Sequence, residues 1–174
     1  MLWYHIGMTD AKIIDLTALL NKGIEYPTSV AEIFTNMAAL EELAYLETAA
    51  LVATSDDEAN KVHEKQLEVK QRVLDSKLTI HLKALASSAV RAIVKAQQAK
   101  GGDDDEITIE LIARTTTKIV AADGGTGVPE DRELLKRFIA ALPETQYLKL
   151  VEAYNELGLS ALRAEGLVND PSLS

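Results

Sequence analysis

The side chains able to do chemistry in this sequence are few, and their spacing is poor. The three histidines are His5, His63 and His81. No His-x3-His or His-Glu-x-x-His pair sets two imidazoles on one helix face to hold zinc. His63 falls in a charged helical pattern and His81 on the polar side of an alternating stretch, so surface positions are expected for both. Ser87 and Ser88 lack the Gly-x-Ser-x-Gly elbow of a hydrolase nucleophile and read as helix caps. Glu41-Glu42 is an acid pair that could move protons, yet it lies on the polar edge of an otherwise apolar helix.

Two further clusters are of types that bind ligands elsewhere. Gly124-Gly-Thr-Gly127 has no following lysine and runs into Val128-Pro129, which removes an amide, so it reads as a turn rather than a phosphate cradle. Asp103, Asp104, Asp105 and Glu106 lack the alternating acids and distant glutamate of an EF-hand. Their place before an apolar pattern suits a helix N-terminus, where acids complement the dipole. Lys83, Arg91, Lys95 and Lys100 form a basic stretch without aromatic residues for base stacking, so a helix face or a site for an acidic partner segment is expected over nucleic acid. With no cysteine at all, thiolate metal sites and disulfides are excluded. The sequence offers no constellation for catalysis, cofactor or metal, and no enzyme is expected.

The surrounding composition says what must position these residues. The chain has 174 residues, 47% apolar, 26% charged and 5% aromatic, with a net charge of −9. Alanine and leucine, 24 of each, are strong helix formers. This predicts a mainly α fold, a helical bundle with at most a small β element. The acidic balance disfavours phosphate backbones. The charge is uneven, since residues 78–100 contain four basic and no acidic side chains. No long uncharged apolar run predicts a membrane span, and the start lacks the basic region of a signal peptide. Residues 1–8 read as a strand, a tail, or an extension before Met8.

Along the chain, Asp10–Lys22 predicts a first amphipathic helix ended by Gly23. Ser29-Val-Ala-Glu32 has the form of a capping box, and a long helix is predicted from Val30 to about Ala53, apolar almost all round. Ser55-Asp-Asp-Glu58 is a second capping box, opening a charged helix to Asp75 that packs by one edge on its neighbour. Leu78-Thr-Ile-His-Leu82 alternates, predicting a strand near 77–83. Its expected partners are residues 1–6 or Ile107–Ile109. A short helix to Ala99 ends at Gly101-Gly102. The next runs from about Asp105 to Val120, with a strand at Thr115–Thr117 as the alternative. Pro129 and Pro143 each open a helix, the second closed by Gly158, with a short helical piece near Ala161–Glu165. These marks divide the chain into residues 1–100, an acidic linker at 101–106 and residues 107–174, within one compact unit.

From Asp75 onward the order of features resembles the tail-assembly chaperones of long-tailed, siphovirus-like bacteriophages. The strand-like element reads Ser76-Lys-Leu-Thr-Ile-His-Leu-Lys-Ala-Leu85. An acidic segment and aliphatic helix follow at 101–120, then the loop Ala122-Asp-Gly-Gly-Thr-Gly-Val-Pro129. A helix ending in Leu142-Pro143 precedes Tyr147-Leu-Lys-Leu-Val-Glu-Ala-Tyr-Asn-Glu-Leu157. The resemblance spans somewhat more than half the chain, through positions that are mostly structural.

The resemblance implies a non-enzymatic protein that binds apolar helices of the tape-measure protein, keeps it soluble and helps tail-tube protein assemble around it. It implies action in the host bacterial cytoplasm and absence from the mature virion. The other reading is a structural virion protein, such as a head–tail adaptor forming an oligomeric ring; self-association fits either. The apolar helix is expected either to be core or to face a partner; in the second case the partner-binding residues are Ile33, Phe34, Met37, Leu40 and Leu43. Alanines there permit close approach, and Met37 adapts to varied partners.

Overall fold

A computed structural model describes residue 23, residues 25–127 and residues 130–168, with side chains through residue 158. The predicted helix at Asp10–Lys22, the segment 1–8 and Pro129 lie outside the described residues. Within them the chain forms six helices and one four-stranded antiparallel sheet, mainly α with a small β element. The order is β1 (Thr28–Phe34), α1 (Met37–Val52), α2 (Asp56–Asp75), β2 (Lys77–Lys83), α3 (Ser87–Ala99), α4 (Asp104–Thr115), β3 (Thr116–Ala121), β4 (Thr126–Gly127), α5 (Arg132–Ala140) and α6 (Glu144–Val168).

The sheet, rather than a bundle, organises the body. Its strand order is β1-β2-β3-β4, each strand antiparallel to the next. Ala31 lies opposite Ile80, and Ile33 opposite Leu78. Ile80 in turn faces Ile119. This alternation puts Ala31, Ile33, Ile80 and Leu82 in one core with Ile112 and Ala113 of α4, Leu135 and Ile139 of α5, and Leu150, Ala153 and Leu157 of α6. The sheet takes two strands from each side of residues 101–106, so the division at that point does not separate two cores. Only Lys100–Asp103 part α3 from α4, and Gly101 turns the chain at φ 79°, a conformation that suits glycine. The acids that follow belong to α4: Asp103 Oδ1 accepts from the Glu106 amide at 2.9 Å, and Asp104–Glu106 fill the first turn.

Several expected elements change character. Residues 30–34 are strand, not helix. The Ser29 hydroxyl donates to the Ala153 carbonyl at 2.6 Å instead of capping, and Glu32 reaches Lys77 on β2 at 3.0 Å. The apolar helix therefore starts at Met37, capped by Asn36, whose Oδ1 accepts from Ala39. The partner strands of β2 are β1 and β3, while Ile107–Ile109 lies within α4.

The helix expected through Val120 stops at Thr115. The Thr115 and Thr116 hydroxyls donate to the Leu111 and Ile112 carbonyls, occupying the acceptors of the last turn, and the β-branched run continues as β3. A bulge between His81 and Leu82 leaves Thr117 as its extra residue. No serine side chain caps α3, whose N-cap is Ala86. Helix α5 starts at Arg132 behind the Asp131 cap. Gly158 does not end α6, which runs on to Val168. A helical glycine costs about 1 kcal/mol, and no proline follows it before the helix ends.

Candidate partner-binding surface

Helices α1 and α2 form an antiparallel hairpin inserted in the connection between β1 and β2. The last strand pair is Phe34 with Lys77, and the Thr35 amide donates to the Ser76 carbonyl at 3.1 Å. Entry and exit are thus hydrogen-bonded neighbours. The hairpin has a small core of its own, Ala39 and Leu46 against Val69 and Val73, separate from the body core. Both helices pack mainly on each other. At 20 residues, α2 is about 30 Å long.

The seam follows from sequence. Val62, Gln66, Val69 and Val73 recur at spacings of four and three, the period of a coiled coil. Gln66 is the polar member, and its Nε2 donates to the Leu46 carbonyl at 3.2 Å, fixing how the helices align. Glu42 on α1 bridges Lys65 and Arg72 of α2 at 3.3 and 3.0 Å. Hydrogen bonds from Arg72 and Lys65 hold the Glu42 carboxyl below its ordinary range. Ser55 caps α2 through the Glu58 amide, while the Glu58 carboxylate accepts from both the amide and hydroxyl of Thr54.

The five expected binding residues divide. Ile33 is fully buried on β1 in the body core, so it is neither helical nor available to a partner. Phe34, its neighbour on the opposite strand face, packs with Leu40, Leu43 and Val62 against the hairpin core. Lys149 Nζ of α6 sits 5.1 Å from the Phe34 ring centre. Leu40 and Leu43 are spent on the seam, and Met37 is half-buried at the first turn of α1. The apolar groups that face solvent are others: Tyr45 at 73% exposure, Leu51 at 86% and Val52 at 70% on α1, with Leu67 and Leu74 on α2. These exposed groups on α1 share a helix with Met37, Leu40 and Leu43 but lie outside the side that α2 covers. Because α1 is apolar all round, the side that α2 covers is legible only once α2's seam is placed against it.

The remaining polar and basic residues have structural places. His63 is exposed on α2, and His81 is half-buried on β2. Ser87, Ser88, Arg91, Lys95 and Lys100 are exposed on or just beyond α3, and Lys83 ends β2. Gly124-Gly-Thr-Gly127 forms the turn into β4. Among the described residues no group of three or more His, Asp or Glu side chains is placed to hold a metal ion. No helix among them is long and apolar enough to cross a membrane. The body also has an apolar groove of about 510 Å³ between the sheet and α5, lined by Leu78, Ile119, Leu134, Leu135 and Phe138.

No protein-family model, curated protein or solved structure matches the chain.

Proposed function

We propose that the protein is a non-enzymatic assembly chaperone that uses the α1–α2 hairpin to hold apolar helices of a partner. The resemblance of residues 75–157 to phage tail-assembly chaperones supplies the partner's identity: the tape-measure protein, kept soluble in the host cytoplasm while tail-tube protein assembles around it. The observation that supports the reading is the exposure of Tyr45, Leu51 and Val52 together on a helix already packed on its other side. Large apolar groups left exposed on one helix favour partner binding over solvent. Covering each fully is worth about 1.5–3 kcal/mol. The acidic chain keeps such a complex dispersed through its net charge.

The test is co-expression with the long helical product of the neighbouring phage gene. The wild-type chain is expected to bring that product into the soluble fraction and co-purify with it. Leu51→Asp with Val52→Asp abolishes this while leaving the helical circular dichroism intact. An insoluble partner beside abundant wild-type protein overturns the reading. Finding the protein in purified particles also overturns it, in favour of a permanent adaptor role.

A further inference from the structure

The charges on α1 are all of one sign. The helix contains Glu41, Glu42 and Glu47 and no basic residue. Glu42 turns inward and is neutralised by Lys65 and Arg72. Glu41 is exposed, as is Glu47, and neither has an ion-pair partner among the described residues. Their spacing ties both to the solvent-facing apolar groups. Glu41 precedes Tyr45 by one turn, and Glu47 lies between Ala44 and Leu51 at three and four residues, so each is a surface neighbour of an exposed apolar side chain. Across residues 36–76, nine acidic side chains stand against four basic ones.

Resting on the capture reading above, we infer that this face selects an amphipathic partner helix whose apolar stripe is flanked by lysine or arginine. Apolar contact at Tyr45, Leu51 and Val52 excludes water around Glu41 and Glu47, which strengthens their attraction to a facing cation. The Tyr45 ring, 73% exposed, offers a surface for the same cation one turn from Glu41. A helix flanked by glutamate meets two like charges and the surplus of the whole hairpin. From Glu41 to Val52 the face covers about three helical turns, which sets the length of stripe that fits.

The experiment uses the full chain and two labelled helical peptides of about 18 residues, five turns each. Both share one alanine–leucine stripe; one has lysines at its flanks and the other glutamates. Fluorescence anisotropy at low salt is expected to show the lysine peptide binding about five- to tenfold tighter. That advantage shrinks at high salt. It disappears in Glu41→Gln with Glu47→Gln, exposed substitutions whose fold is checked by circular dichroism. Equal affinity for the two peptides, or a preference unchanged in the double variant, overturns the inference and leaves apolar capture standing. If neither peptide binds, both this inference and the capture reading fall. Leu51→Ser with Val52→Ser weakens both peptides alike, separating the apolar contribution from the charge preference.

Discussion

The Phe34 amide donates to Gln146 Oε1 at 3.0 Å, joining residues 112 apart in sequence. Gln146 is 4% exposed, and the bond fastens the first turn of α6 to the end of β1, where the hairpin leaves the body. Phe34 packs in the hairpin and Ile33 in the body, so this one peptide unit connects both cores. Gln146→Ala leaves a strand amide without its acceptor and is expected to lower stability by about 1–2 kcal/mol in urea unfolding. Gln146→Glu keeps an acceptor and faces Lys149, so it should unfold close to wild type. Equal loss in both variants would show that the bond itself is not what matters.

Leu40 and Leu51 lie on the same helix with opposite duties. Leu40→Asp places a carboxylate in the seam with Leu46, Val69 and Val73 and should cost about 3 kcal/mol or more. Leu51→Asp, at a position 86% exposed, should change stability by about 0.5 kcal/mol or less yet weaken partner capture. Thermal melts of the two variants distinguish these outcomes. A Leu40 variant that melts like wild type would place Leu40 outside the seam.

Glu110 makes stability depend on acid. It is buried on α4, and its carboxylate pairs with Arg114 at 2.8 Å and Lys136 at 3.0 Å. Burial pushes its carboxyl up, but the hydrogen bonds from Arg114 and Lys136 together outweigh this and hold it below the ordinary value of 4.5. A carboxyl lowered by folding contributes stability that is complete above its unfolded value. That contribution is lost as pH falls through the lower folded value. Glu110→Gln should therefore be less stable at neutral pH and show a shallower loss on acidification below about pH 4.5. Urea midpoints taken at pH 7 and at acid pH test this; parallel curves for the two proteins would rule it out.

The hairpin should be removable. The Thr35 amide already donates to the Ser76 carbonyl, one of the two bonds that flank a two-residue turn; freed from the Val73 carbonyl, the Ser76 amide can supply the other. Replacing residues 36–75 with Asn-Gly is expected to leave a cooperatively folding body, because no residue of the hairpin core belongs to the body core. The same variant should lose partner capture completely. Loss of cooperative unfolding would mean the body needs the hairpin to fold.

What was legible in the sequence was whatever local chemistry decides. Helix α2 spans Asp56–Asp75 as its capping residue, acidic first turn and terminal Arg72 indicate. Strand β2 follows its alternation, one residue longer at each end. The misread stretch, Ser29–Phe34, has the local form of a helix start, but its groups are used at long range. Ser29 reaches Ala153, Glu32 reaches Lys77, and Ile33 enters a core built mostly from the chain's second half. No window around Ser29 contains those partners. The exposed side of α1 shows the same limit, since α1 displays its apolar excess in sequence but not which side α2 will cover.

Because the chain enters and leaves the hairpin at two adjacent strand ends, its reach is independent of the body's architecture. Adding or removing seven residues in each helix keeps the seam in phase and moves the tip by about 10 Å, with the sheet undisturbed. The protein is thus built as a fixed base with a gauge of adjustable length. The length of exposed hairpin surface is set by how many seam repeats lie between Thr35 and Ser76.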